Sequence, residues 1–437
     1  MVPSSLAAVM LEQEARALLT RLARVKPFAL YETMVPAAAV SPVAQTAIER
    51  YLASGRRILH GLIREYLAWL SGPEGQRATP ADAQRRFTFL RLRFNVVLSQ
   101  FDIFVDVVTQ RSEHETGVWL SGLDVAAADA LTLPGGYYEV PAVVCYLDRG
   151  HGAAIRRART RLPGGGENPV AIIRVPRERM VGSGIASSLV HEVGHQAAAL
   201  LDLINSLRLV LQGLQQRSGQ EQMAWRLWER WISEIVADFW SVAKVGIAST
   251  LGLIGVVSLP RAFVFRLNLD DPHPVPWMRV KLSCAMGQAL YPHRQWDELA
   301  RLWESFYPTT RLDEDRRRLF AMLEANMPSF VKLLVHHRPK ALRGQSLIEA
   351  MALEERQPAR LAAYYRSWRR SPAQMRAAPP SLVFAVIGQA KADGEMSPEE
   401  ESHMLANLLT HWALRSTLDI AAICAMQPKA GITAPVT

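Results

Sequence analysis

The sequence predicts a mainly helical protein with one small β-sheet, an α+β architecture, and two changes of texture carry that reading. From the start to about residue 132, apolar residues recur at helical spacing, as in Ile58, Leu62, Tyr66 and Leu70, or Phe89, Leu92, Val96 and Phe101. Between about 136 and 182 the pattern shifts to short β-rich runs, YYEVPAVVCYL and NPVAIIRV, separated by the turn-forming LPGGGEN. Long helical patterns then resume. Three regions follow: an N-terminal helical region, 1–135; a central region holding the sheet, 136–335; and a C-terminal helical region, 336–437.

Each element has its own signal. The N-terminal MVPSSLAAVMLEQEARALLTRLARVKPF lacks a positive n-region, and Glu12 interrupts its apolar start, so it reads as an amphipathic helix rather than a signal peptide. The longest uncharged run, VGIASTLGLIGVVSLP between Lys244 and Arg261, is too short for a bilayer and is broken by glycine and proline. It reads as buried core or cleft wall, and no membrane association is expected. RRSPAQMRAAPPS, residues 369–381, reads as a linker or exposed loop. Beyond it, Ser397-Pro398-Glu399-Glu400 is a helix start with serine at the N-cap, proline at the first helical position and glutamate at N3. ADGEMSPEEE is not a calcium loop, because with Gly394 at the sixth position Gln389 and Lys391 stand where oxygen donors are needed. Through this ADGxxxxxE-like match the segment 380–437 resembles TerB-type helical domains, which implies a separate C-terminal unit.

Composition narrows the class. The chain is 49% hydrophobic and 21% charged, an ordinary folded composition. Its formal net charge of +9 comes from arginines interspersed with acids, as on solvated helix faces. One cluster, Arg149 with Arg156, Arg157, Arg159 and Arg161, surrounds a glycine-rich segment and has the charge to grip an anionic ligand. Without aromatic interleaving or a nucleic-acid motif, no nucleic-acid partner is expected. Cys145, Cys284 and Cys424 are far apart, which supports neither a disulfide framework nor a cysteine metal site and points to a reducing, cytoplasmic setting.

The chemistry concentrates in Ser188-Leu189-Val190-His191-Glu192-Val193-Gly194-His195. On a helix, residues four apart lie one above the other, so His191 and His195 present two imidazoles to one metal ion with Glu192 beside it. Val190, Val193, Ala197 and Leu201 give that helix its apolar face. Gly194 weakens a helix by about 1 kcal/mol relative to alanine, which makes sense where another backbone or a substrate passes close. A catalytic zinc needs a third ligand and an open fourth position. Glu234 is the candidate ligand and Asp238, four residues on, the carboxylate that holds a ligand histidine by its other ring nitrogen. Both stand on a tryptophan- and isoleucine-rich helix, where a carboxylate is costly unless paired or metal-bound. A regular hairpin turning at Ser218-Gly219 would leave His195 and Glu234 out of register by about 10 Å at 1.5 Å per residue. The first helix is therefore expected to end or bend near Leu203 to Asn205.

HEVGH, then Glu234-Ile235-Val236-Ala237-Asp238, then Asp271-Pro272-His273-Pro274 with Arg279, resembles the HtpX and CAAX prenyl protease group of gluzincin metallopeptidases in the order HExxH, ExxAD, HP-x4-R. The resemblance spans about residues 185 to 280 and makes the central region, 136–335, a gluzincin-like metallopeptidase core. It implies one zinc ion held by His191, His195 and Glu234, and a role for His273 at the oxyanion. Asp238 and Arg279 would support them, Arg279 as a clamp on Asp238, Glu234 or substrate. Members of the group are usually membrane-embedded and this chain has no convincing span, so a soluble relative is expected, with a protein or peptide substrate. In such a site zinc-bound water, activated by Glu192, hydrolyses the peptide bond. Two other classes compete: a catalytically silent zinc-containing regulatory or binding protein, and an interaction protein working through its basic surface. NPVAIIRV, ahead of the metal helix, reads either as a cleft-lining edge strand that binds substrate backbone or as an internal strand. His336, His337, His403 and His411 read as surface residues, and oligomeric state stays open.

Overall fold

The computed structural model describes residues 4–24, 34–149, 152–162, 166–179, 182–217, 219–268 and 270–426. Over the described residues the chain is mostly helical with one three-stranded sheet, as expected. It divides into two compact units, one made of residues 1–118 with 156–172, the other of 119–155 with 173–437.

The first unit is built on α1 (Ser4–Arg24), α2 (Pro42–Ser71) and α3 (Pro80–Thr109), which pack on one another. In α1 the buried Leu11, Ala15, Leu18 and Leu22 recur at the spacing of a single helix face. Ser41 and Thr79 cap α2 and α3 by accepting from the amides of Ala44 and Asp82, and a proline follows each cap at the first helical position. The expected helices are present, but one stripe faces elsewhere. In α3 the buried line is Phe87, Leu90, Phe94, Val97, Phe101 and Phe104, while Phe89 and Leu92 lie exposed. That helix is apolar on more than one face, so periodicity located the helix without choosing its buried side.

α4 (His114–Leu131) leads from the first unit into the second and on to the sheet strands β1 (Val143–Asp148), β2 (Ala154–Arg156) and β3 (Ala171–Pro176). Their order is β1-β3-β2, so β3, the strand of NPVAIIRV, is central. This settles the choice left open above against the edge strand. Five of its six residues are buried, the mark of a strand covered on both faces, and a proline in it would remove a ladder bond from an internal strand.

The helices that follow are α5 (Ser183–Leu200), α6 (Leu203–Arg217), α7 (Gln222–Val245) and α8 (Ile247–Val257). Then come α9 (Pro276–Leu290), α10 (Gln295–Phe306) and α11 (Glu314–Val335). The last are α12 (Pro358–Arg370), α13 (Pro380–Ala392) and α14 (Pro398–Met426), the last begun by a capping box between Ser397 and Glu400. α7 is the axis of this unit, buried without interruption from Glu234 to Val245, and packs against α5, α6, α9 and α13. The register problem is solved by a bend. α5 stops at Leu200, Asp202 takes a left-handed φ of 50°, and α6 leaves at 77° to α5, just ahead of the expected place. Among the described residues no single helix is long and apolar enough to cross a membrane.

Candidate metal centre

α5 and α7 cross where their side chains are smallest. A Cβ on Gly194 would stand 2.8 Å from the Cα of Ala237 and 2.9 Å from its carbonyl oxygen. The close passage anticipated for Gly194 is therefore one with another backbone. Since Gly194 lies between His191 and His195, and Ala237 between Glu234 and Asp238, this contact sets one motif against the other in register. The N-terminus of α5 is held by the second unit's last helix. Gly182, at φ 63°, leaves room there for the buried Glu401 carboxylate of α14, which pairs with Lys391 at 2.7 Å. A negative charge at a helix N-terminus is favourable.

The crossing brings His191, His195 and Glu234 together, with one donor atom from each lying within 4.8 Å of the others, so the three could hold a metal ion. His191 Nε2 is 3.2 Å from Glu234 Oε2, and His195 Nε2 is 3.5 Å from Glu234 Oε1. The two imidazole rings stand at 88° to each other. On its far side His191 Nδ1 meets Asp238 Oδ1 at 2.8 Å. Asp238 is in turn gripped by Arg279 of α9, whose Nε and Nη2 donate to Oδ2 and Oδ1 at 2.6 and 2.8 Å. A bidentate guanidinium leaves the carboxylate little freedom, and the carboxylate fixes the ring. His273, on the loop before α9, places Nε2 3.2 Å from Glu234 Oε2 and Nδ1 2.7 Å from Asp271 Oδ1.

Electrostatics follow from the burial of so many charges. Burial alone would raise the carboxyl of Glu234, but the three histidines around it overcome that and hold it well below the usual carboxylate range. Burial likewise opposes the charge of Asp238, which the Arg279 guanidinium nonetheless keeps ionised far below its ordinary value. Desolvation disfavours a charged His191, yet the Asp238 carboxylate and its hydrogen bond with the ring lift it to about 9. Glu192 is shifted up, chiefly by burial. His273 is raised mainly through its contact with Glu234.

One orphaned atom stands out. Glu234 Oε2 is buried and within reach of two ring nitrogens, yet neither offers it a well-directed hydrogen bond. A cation placed between Glu234 Oε2 and the Nε2 atoms that face it would satisfy this oxygen, with His191 neutral and Nδ1 donating to Asp238.

Beside these residues is a small cleft of about 150 Å³, lined among others by His191, Glu192, His273, Arg279, Leu253 and Val256. Leu253 and Val256 belong to the uncharged run, which thus forms cleft wall. Gly152 and Ala153, just before β2, also line it; they lie between Arg149 and Arg156 of the basic cluster, but no signal tied them to the metal motif.

No family model, curated protein or solved structure matches this chain.

Proposed function

We propose that the chain is a zinc-dependent metallopeptidase, with His191, His195 and Glu234 as ligands, Glu192 as general base, and a gluzincin-like core around them. The observation that carries this reading is the convergence of two imidazole nitrogens and one carboxylate from different helices, with a further glutamate beside them in a cleft. Zinc bonds of about 2.0–2.1 Å put two tetrahedral ligand atoms about 3.3–3.4 Å apart. Glu234 Oε2 is 3.2 Å from His191 Nε2 and its Oε1 is 3.5 Å from His195 Nε2, each close to that span, while one donor atom from each of the three residues lies within 4.8 Å of the others. The donor set also suits zinc, two histidines and a carboxylate being a known catalytic zinc combination.

Zinc held there would supply a Lewis acid that acidifies water and polarises a peptide carbonyl. The rest falls to the protein. Glu192, its carboxyl shifted up by burial, accepts the water's proton and returns it to the leaving amine. By the resemblance His273, whose Nε2 lies 3.2 Å from Glu234 Oε2, would turn that nitrogen to donate to the developing oxyanion. Asp238 and Arg279 keep His191 oriented, and Leu253 and Val256 line the cleft with apolar surface beside the reacting bond.

Metal content and cleavage test this together. The native protein is expected to carry one zinc per chain and to cleave casein or a peptide library. Glu192→Gln is expected to retain the zinc while cleavage falls by about 10²–10⁴-fold. Equal cleavage by both proteins, or a folded native chain that takes up no metal, would overturn the reading.

A further inference from the structure

The face of α7 that carries Glu234 extends beyond the metal centre. Arg226, Arg230, Glu234 and Asp238 are spaced four residues apart, so they form one stripe along the helix. Glu234 and Asp238 are buried, whereas Arg230 and Arg226 are exposed. The two arginines line a groove of about 650 Å³ together with Arg208 of α6, Leu227 and Glu229 of α7, and Asp270 and Pro272 from the loop that delivers His273. Its guanidinium groups are unequally engaged. Arg208 meets Glu229 at 3.3 Å. Among the described residues the acid that Arg230 reaches is the fully exposed Asp270, at 4.0 Å. Arg226 has no acidic partner among the described residues.

At 1.5 Å per residue, Arg230 and Arg226 lie about 6 and about 12 Å along the helix from Glu234. An extended peptide advances about 3.3 Å per residue, so these distances correspond to about two and about four residues. We propose that this groove is a substrate subsite recognising acidic side chains, aspartate or glutamate, about two to four residues from the scissile peptide bond. The substrate direction rests on the peptidase reading; the preference for carboxylates rests on the groove itself. Asp270 shows that a carboxylate can approach Arg230 from the loop side, and the loose contact leaves that guanidinium available to a better-placed acid. Carboxylate–guanidinium pairing is charge-assisted and directional, which favours acids over amides of the same shape. Leu227 and Pro272 offer apolar surface to the methylene groups of a glutamate.

Binding is measured separately from cleavage. Short fluorescein-labelled peptides with a common apolar centre, carrying glutamate, glutamine or lysine at the stated distances on either side, are titrated by anisotropy into full-length zinc-loaded Glu192→Gln protein. The glutamate peptide is expected to bind about tenfold more tightly than the glutamine one, a difference that weakens with salt. Arg226→Glu combined with Arg230→Glu, at exposed positions where folding is not at stake, is expected to reverse the order and make the lysine peptide the tightest. Equal affinities for glutamate and glutamine peptides, an unaltered order in the double variant, or failure of every peptide to bind would each overturn the proposal. Acid-selective binding that the double variant reverses, with no cleavage of any peptide by zinc-loaded native protein, would instead sink the hydrolase reading and leave the carboxylate site standing.

Discussion

Asp238 has two partners, and its substitution separates their contributions. Asparagine would keep the side chain's size but remove the charge that balances Arg279 and fixes the His191 ring. Zinc affinity is expected to fall about 10–100-fold in Asp238→Asn, measured by competition with a chelating indicator. Leaving the buried guanidinium without its counter-charge is expected to cost about 3–5 kcal/mol of stability, read from urea unfolding. At this scale the sequence was most informative. The spacings of His191 to His195 and Glu234 to Asp238 are local helical facts, and a buried carboxylate on an apolar helix needs a reason. Arg226 and Arg230 obey the same spacing, but exposed arginines on an amphipathic helix look like any solvated face. Only the groove around them sets them apart.

Between elements, the decisive contact has almost no side chain. Gly194 and Ala237 let α5 and α7 approach closely enough for both motifs to share one centre. Valine at position 194 would force the helices apart, with a stability loss of about 1–3 kcal/mol. Because two ligands come from α5 and one from α7, zinc stoichiometry is expected to fall below one per chain in Gly194→Val while circular dichroism still reports helices. Full zinc occupancy in that variant would show the crossing to be dispensable. The bend before α6 was deducible from counting residues, since a straight hairpin could not bring His195 level with Glu234. The strand order was not. Three short strands joined by glycine-rich loops carry no local signal of which one ends up in the middle, and only the apolar run Val170-Ala171-Ile172-Ile173 hinted at β3.

For the whole molecule, the pH dependence of stability has an identifiable source in Lys244. Its ammonium is buried, donates to the Thr132 carbonyl and lies over the Trp240 ring. Desolvation, reinforced by the charge of Arg356, draws its pKa down from 10.5 to about 8. Above about 8 the native chain releases a proton that the unfolded chain keeps until about 10.5, so this residue's contribution to stability rises with pH across that window. Lys244→Met is expected to be more stable than the native protein near neutrality, by up to about 3 kcal/mol. In urea unfolding that advantage should shrink as pH approaches 10.5; a constant difference would show that Lys244 is not the source. The helical character and the small sheet were legible because periodicity changes sharply near residue 136. The division into units was hidden, because it depends on which distant segments touch.

The first unit is discontinuous in the chain, taking in residues 156–172 after an excursion into the second. Gly166 packs against the Tyr51 ring and Leu162 is buried, so the returning segment is part of that unit's packing. During synthesis, the three long helices leave the ribosome well before the stretch that completes them. They must wait, unfinished, until the sheet region has also been made, and a fragment ending at the change of texture near residue 135 would never acquire it.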